Sequence, residues 1–452
     1  MRILLWHGYL LSGSGSNIYT ANVARAWRAL GHDVVLMCQE TDVARFDFLD
    51  EQGIADRATA HALATNSEKG RCVLLRPPIG EVLPVYVYDE YEGFTAKRFV
   101  DLSEGELTRY TESNVAAMTA VIEEMQPDAI VTGHEVMGPF ISRLACEATG
   151  TDFIAKLHGS ALEYAVKIQD RYLDYATRGL NAAKRVIGGS RYMLDAAAAV
   201  VPGRWRDEAT VVNPGCDVEL FKPADRHAPE RPAVAFVGKL IVSKGVHHLL
   251  ASVGLTRAGP MEVVVVGFGG FEEQLKSLAA ALADGDAEHA LALAETGDST
   301  PLEALASFLV ADPGPGYWKR QSEVPITFAG RLEHGPLSER LPYLDVLVVP
   351  SVRPEAFGMV AAEAAACGVL PIVPGHSGIG EVGAALEEHL GIPGLLTFDP
   401  AAPIEGIAAA IDRILGLGFD RRRELGLAAA ELTRSRWSWE TVAERLLAAA
   451  TD

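Results

Sequence analysis

Glu355 and Glu363 stand eight positions apart in PEAFGMVAAEAAACG (354–368), among residues that are mostly small or apolar. Burying an unpaired carboxylate costs several kcal/mol, so two in such a setting need something to hold. The stretch reads as a strand, DVLVVPS (345–351), leading through RPEAF into a short helix closed by Gly368. Phe357, Gly358 and Met359 are then an exposed first turn whose free N–H groups suit a phosphate. Glu355 lies just before that turn and Glu363 about one and a half turns into it, roughly 12 Å apart along the axis if the segment is mostly helical. A ligand with hydroxyls at both ends and a diphosphate between them has that length. Two solvated helix-end carboxylates are the plain alternative, since exposed charges are usual.

Other residues offer matching chemistry. VGKLIVSKG (237–245) follows a strand and carries Lys239 and Lys244, which at a strand's C-terminal end can neutralise a diphosphate leaving group. LSGSGSNIYT (11–20) joins the first strand to the first helix. There Gly13 and Gly15 allow close backbone approach, and Ser16 or Asn17 can cap the helix. KLHGS (156–160) puts His158 at the end of a strand, and TGHEVMG (132–138) does the same for His134. Surface lysines, a capped turn and structural histidines would account for each of these singly. HEVMG is not a zinc-binding HExxH, because Gly138 stands where the second His belongs. Asp284-Gly-Asp286 has the DxD form of metal-dependent sugar transferases but lies in an Ala-rich helical stretch, and VVVVGFGG (263–270) reads only as a Gly-rich strand end.

The elements that must position these residues are legible as a pattern. Apolar runs recur at ILLW (3–6), VVLM (34–37), VYVY (85–88), AIVT (129–132), FIAKL (153–157) and VIGG (186–189), with helical stretches such as IYTANVARAWRAL (18–30) between several of them. The alternation restarts at VAFVG (234–238) and continues through EVVVVG (262–267), ITFAG (326–330), DVLVVPS and VLPIVP (369–374). Runs apolar on both faces and separated by helices imply parallel sheets covered on both sides. The expected fold is therefore α/β, with an N-terminal Rossmann-like domain over 1–215 and a second over 216–434, their strand ends facing a cleft. NPGCDVELFKPADRHAPERP (213–232) reads as a linker, 272–322 as a helical insertion, and 435–452 as a helix returning to the first domain.

Composition narrows the class. A chain of 452 residues exceeds one ordinary core, and a net charge of −20 argues against a sequence-wide affinity for nucleic acid or an anionic membrane. Five scattered cysteines without a CxxC pair point to a reducing compartment and no zinc site. MRILLWHGYLL is interrupted by His7 and Gly8, so it reads as a buried strand rather than a leader, and a cytoplasmic protein is expected.

Together these motifs resemble the retaining GT-B glycosyltransferases of family four, over nearly the whole chain. Within the family they look most like the group that adds N-acetylglucosamine to inositol phosphate. The E-x7-E pair is the most specific mark; GKLIVSKG, VVNPGCDVELFKP (211–223), SGSGSNIYT and LHG match other family segments, with Lys239 where Arg is commoner. The resemblance implies that Glu355 and His158 sit at the donor sugar and that Lys239, Lys244, the Gly15 backbone and the amides of Phe357, Gly358 and Met359 hold the diphosphate. It further implies Glu363 at the ribose, Arg331 beside the base, and Asn17 and His134 toward the acceptor. The expected reaction moves a hexosyl group from a nucleotide diphosphate sugar, UDP favoured over GDP, to a small polar acceptor, with no metal and no further cofactor. Configuration is retained without a protein nucleophile, a donor phosphate oxygen taking the acceptor's proton. The basic pair Lys97-Arg98 lies among Glu90, Glu92, Asp101, Glu104 and Glu106, so no stable membrane association is expected; a homodimer is left open. A sugar-nucleotide epimerase or a non-catalytic sugar-nucleotide-binding subunit would satisfy the same motifs, and donor turnover without acceptor separates the first from a transferase.

Overall fold

The computed structural model describes residues 1–65, 69–87, 94–297 and 302–451. The chain divides into two compact units, residues 1–215 with 439–452 and residues 216–438. The division at 215/216 is where the sequence places it. The return to the first unit begins at Trp439, four residues after the expected 435, because the helix Phe419–Trp437 still belongs to the second unit.

The first unit holds an eight-stranded, all-parallel sheet in the order Ala209–Val211, Arg185–Gly188, Ile154–Lys156, Ala129–Gly133, Arg2–Trp6, Asp33–Met37, Cys72–Arg76, Glu51–Ile54. Strands on either side of Arg2–Trp6 run outward in opposite senses, so the order reverses between Arg2–Trp6 and Ala129–Gly133. Ligands bind at such a switch point, beyond the strand C-termini. Strand Arg2–Trp6 is apolar on both faces and buried from Ile3 to Trp6, as a covered parallel strand must be. Helix Glu104–Met125 begins with a capping box in which Ser103 and Glu106 satisfy each other's backbone. The final helix, Trp439–Thr451, packs on helix Gly15–Ala29: Trp27 Nε1 donates to Ala443 O at 2.9 Å, and the rings of Trp439 and Tyr19 meet edge to face. Gly215 makes room for this, since a Cβ there would lie 2.4 Å from the Trp439 ring.

The second unit holds a six-stranded parallel sheet in the order Ile326–Gly330, Glu262–Val266, Ala233–Val237, Val346–Val348, Leu370–Pro374, Thr397–Phe398. Numbered along the unit this is 3-2-1-4-5-6, the Rossmann order, with its switch point between Ala233–Val237 and Val346–Val348. One apolar core made of residues such as Val234, Leu249, Leu275, Leu347 and Ile372 fills the space between this sheet and its helices.

Several expected boundaries move. Of the run VYVY only Val85 lies in a strand: Val82–Val85 pairs with Thr95–Arg98 in a small two-stranded sheet, and Tyr86 just beyond it is buried. Tyr88, Glu90 and Glu92 lie outside the described residues. The segment 272–322 lies in the crossover between two adjacent parallel strands and folds into helices Glu272–Asp284, Ala287–Thr296, Glu303–Val310 and Pro315–Glu323. Leu275, Leu278 and Leu282 of its first helix cover the sheet as any crossover helix does. The segment 213–232 is no free linker, for Val218 and Phe221 are buried in the second unit's core.

Candidate functional site

In the second unit the residues gather at the switch point. Strand Ala233–Val237 ends in Gly238, whose N–H donates to Val266 O at 3.0 Å, while Leu240 N donates to Phe268 O at 2.8 Å. Gly267 N in turn donates to Gly330 O at 2.9 Å. The loops after three neighbouring strands are thus laced together by backbone. A Cβ at Gly267 would fall 1.9 Å from Gly238 O and one at Gly269 2.3 Å from Leu240 O. The Gly-rich strand end VVVVGFGG, set aside on sequence, is therefore what lets the lysine-bearing loop lie flat.

Lys239 on that loop is exposed and forms no ion pair among the described residues. Lys244 ends the turn Val242–Lys244, and its Nζ donates to Glu355 Oε1 at 2.7 Å. Ser351 Oγ donates to the same oxygen. The Glu355 backbone is tied on both sides, its N–H donating to Ser377 Oγ at 3.0 Å and its carbonyl accepting from Gly378 N at 2.9 Å. Oε1 is therefore committed, and Oε2 has no partner among the described residues. Close by in sequence, Gly245 takes a left-handed φ of 70° under Pro350 O, which seats the turn of Lys244 against the strand end that carries Glu355.

Helix Met359–Ala366 follows, with Gly358 as its N-cap at φ 95° and no side chain capping it. Its first-turn amides thus lack a side-chain acceptor, as a phosphate site requires. One expectation is corrected: the turn is not exposed. Phe357 is 3% exposed, its ring meeting Trp437 edge to face, and Gly358 is buried; Met359 is half-buried. The helix also begins later than expected, so only Glu363, its fifth residue, is helical and a helical spacing does not measure the distance to Glu355. Glu363 is buried rather than solvated, with His334 Nε2 3.9 Å from its Oε1, and burial pushes its carboxyl up to about 7. Arg331 lies on the rim of the same loops, its guanidinium 4.7 Å over the ring of the exposed Phe268 and 2.7 Å from Glu333. Nothing in the sequence marks Phe268 as Arg331's support, because the two lie on loops after different strands.

In the first unit the candidates also converge on strand ends. Gly15 is the exposed first residue of helix Gly15–Ala29, which Ser14, rather than Ser16 or Asn17, caps. Asn17 does not face outward: it is 2% exposed, its Oδ1 2.9 Å from His7 Nε2 and its Nδ2 2.5 Å from Ser12 O. Its amide is spent holding the loop, which corrects the assignment toward an acceptor. His134 is likewise buried, 1% exposed at a strained φ of 73°, with neither ring nitrogen hydrogen-bonded. Its ring stacks on His7 at 5.4 Å and lies 4.9 Å from His158. His158 is half-buried, with the Tyr19 ring 5.2 Å away edge to face. Burial, together with Lys156 and His7 nearby, holds its imidazole well below the ordinary range, so it is neutral. Lys156 is buried too, its Nζ donating to Val212 O at 2.7 Å, and burial lowers it to about 7. His7, Tyr19, Glu135 and Lys156 escaped the sequence reading, although His7 follows a strand just as His134 and His158 do.

Asp284 and Asp286 are explained without a ligand. Asp284 ends one helix, and Asp286 caps the next by accepting from His289 N at 3.0 Å. Among the described residues no cluster of His, Cys, Asp and Glu has the form of a metal site, and no helix is long and apolar enough to cross a membrane. All five cysteines are buried thiols. The pair Lys97-Arg98 is occupied: Lys97 bonds both oxygens of Glu106, and Arg98 grips Asp101.

Residues 14–215 match the model of the glycosyl transferase 4-like domain, and residues 318–431 that of the glycosyl transferases group 1. The chain is 28% identical over 283 residues to alpha-maltose-1-phosphate synthase of Mycolicibacterium smegmatis, covering 59% of this chain and 63% of that protein. It is 28% identical over 246 residues to D-inositol 3-phosphate glycosyltransferase of Mycobacterium marinum, covering 53% and 44%. A GDP-mannose-dependent monoacylated alpha-(1-6)-phosphatidylinositol monomannoside mannosyltransferase of Corynebacterium glutamicum is 22% identical over 74% of this chain and 79% of its own. The chain thus spans 44% to 63% of the length of the first two relatives. Among solved structures, Anabaena HepE in complex with UDP superposes with a TM-score of 0.61 at 16% identity, covering 99% of both chains. The two Rossmann-like units are those of the GT-B fold, and the two parts of the chain match a glycosyl transferase 4-like domain and the glycosyl transferases group 1, respectively.

Proposed function

We propose that this protein transfers a hexosyl group from a nucleotide diphosphate sugar, UDP favoured and GDP the alternative, to a small polar acceptor with retention of configuration. The observation that carries this reading is the second unit's switch point. There Glu355 is pinned by Lys244 and Ser351 beside an uncapped helix N-terminus, with the buried Glu363 one turn along. Oε2 of Glu355 accepts from hydroxyls of the donor sugar. The first-turn amides, Lys239 and Lys244 hold the diphosphate and stabilise its charge as the sugar departs. Glu363 accepts from the ribose, Arg331 on Phe268 flanks the base, and the neutral His158 serves the sugar as a hydrogen-bonding group. The positive charge that a divalent cation gives other transferases is assigned to the two lysines, so activity is expected to survive excess EDTA.

The relatives bracket the acceptor, one named for inositol phosphate and one for an acylated phosphatidylinositol mannoside. The small soluble acceptor is preferred here because Lys97 and Arg98 already spend their charge on Glu106 and Asp101. A cytoplasmic location belongs to the same reading. The test is a thermal-shift screen of nucleoside diphosphates and their sugars, followed by product analysis with polyol and sugar-phosphate acceptors. One nucleotide at 100 times its Kd should add about 2.7 kcal/mol of stability. A nucleotide-independent melting curve, or donor turnover that produces an epimer without acceptor, would overturn the reading.

A further inference from the structure

One buried carboxylate in the first unit has no place in the scheme above. Glu135 follows the strand Ala129–Gly133 and is fully buried. Its Oε1 accepts from two consecutive backbone amides, His158 N at 3.0 Å and Gly159 N at 2.5 Å. Those amides open the turn after the neighbouring strand Ile154–Lys156, where Gly159 adopts a left-handed φ of 92°. The other oxygen, Oε2, is buried without a partner. Such a placement is costly for a carboxylate unless what it holds matters. A turn stabilised only for folding would be served as well by a neutral acceptor or a water.

The surroundings explain what is held. The His158 ring has Tyr19 on one side and His134 on another, and a Cβ at Gly133 would come within 3.4 Å of its Nε2. The imidazole is therefore wedged between rings, and its remaining freedom is that of its own backbone. We propose that Glu135 is the positioning residue for His158: by fixing the two amides of the His158–Gly159 turn it sets where the imidazole presents its nitrogens. Burial raises the Glu135 carboxyl above its ordinary range, and the amides of Gly159 and His158 work against that by favouring the ionised form that accepts from them. The inference rests on the reading of His158 as a sugar-side group, and the test separates the two.

The intact protein is compared with its E135A, E135Q and H158A variants by three measurements. These are UDP release from UDP-glucose in water, UDP affinity by calorimetry, and the histidine ring signals by NMR. A misplacement of about 1 Å in a catalytic group costs on the order of 10²-fold. E135A should therefore slow UDP release by about that factor, matching H158A, with UDP affinity unchanged within about twofold because Lys239, Lys244, Arg331 and Glu363, assigned to the nucleotide, belong to the other unit. E135Q keeps an oxygen acceptor for both amides and should recover activity to within about tenfold of the native protein. The ring signal lost in H158A should shift or broaden in E135A and return toward its native position in E135Q. If H158A slows release while E135A leaves both the rate and that signal unchanged, the positioning role is overturned. If E135A and E135Q lose rate and UDP affinity together, Glu135 is a general folding residue and the proposal again falls. If H158A itself leaves UDP release untouched, the assignment of His158 to the sugar fails, and the proposal with it.

Discussion

Two glutamates of the same helix-entry segment are asked to do opposite things. Glu355 is paired to a lysine and keeps one oxygen free; Glu363 is buried with the His334 ring 3.9 Å away, and burial pushes its carboxyl up to about 7. Glu355→Ala should cut turnover far more than nucleotide affinity. Glu363→Ala should weaken free UDP or GDP by about 1.5–3 kcal/mol, the worth of a hydrogen bond to a charged group. Calorimetry with the free nucleotide distinguishes them, and equal losses of affinity would refute the division of labour. The raised Glu363 adds a second prediction. A ribose hydroxyl donates best to the ionised carboxylate, and the free protein holds that group about half protonated near pH 7. Binding must then release a proton, so affinity should rise with pH through 7 and level off above about 8. Calorimetry at pH 6.5 in buffers of different ionisation enthalpy reads the proton directly. Glu363→Gln should abolish the buffer dependence; no proton release in the native protein would contradict the assignment.

At the scale of elements, the site depends on glycines that let one loop lie against the next. Gly245 has a left-handed backbone, and a Cβ there would stand 1.9 Å from Pro350 O. Gly245→Ala should cost about 1–3 kcal/mol in strain and carry Lys244 away from Glu355, so nucleotide binding should fall with stability. Gly13 is the control: its φ is 98° but the space around it is open, so Gly13→Ala should cost only about 1 kcal/mol. Chemical denaturation of the two variants compares them, and equal stability would mean that the Pro350 contact imposes nothing. The sequence displayed this element only in part. GKLIVSKG was recognisable because it follows a strand, whereas VVVVGFGG looked inert because its role is to yield space to a loop 29 residues earlier in the chain. Close backbone approach leaves no mark beyond the glycine itself.

Across the whole molecule, both units bury neutral histidines. His7 and His248 are held down to about 4 by burial, and His134, His158 and His247 lie well below their ordinary range for the same reason. In the unfolded chain each titrates near 6.5. Below that value the unfolded state binds protons that the native state refuses, so stability is full above pH 6.5 and is lost as pH falls toward 4. The loss approaches about 1.4 kcal/mol per pH unit for each such histidine. Glu363 and Glu135 run the other way, burial having raised both carboxyls, but they are two groups against five. Thermal melts from pH 7.5 to 4.5 should show a steep decline affecting both units. A flat profile would mean that the histidines are not held neutral.

The amino-acid sequence by itself determined the two α/β units, because a parallel strand covered on both faces must be apolar throughout and reads as such in isolation. It also determined that Glu355, Lys239, Lys244 and His158 would lie just beyond strand ends, since each follows such a run, and that Glu363 would lie in the helix that comes next. Only the tertiary structure decided which of them are free to act. Asn17 and His134 sit where the motif puts them, yet they are consumed by or enclosed among His7, Ser12 and Tyr86. Glu135 seemed only the failed half of a metal motif until the fold brought it beneath His158, 23 residues away. Lys244 and Glu355 are 111 positions apart and meet because their strands are neighbours in the sheet. Burial and pairing are properties of segments brought together, and no local pattern records the partner that a distant strand will supply.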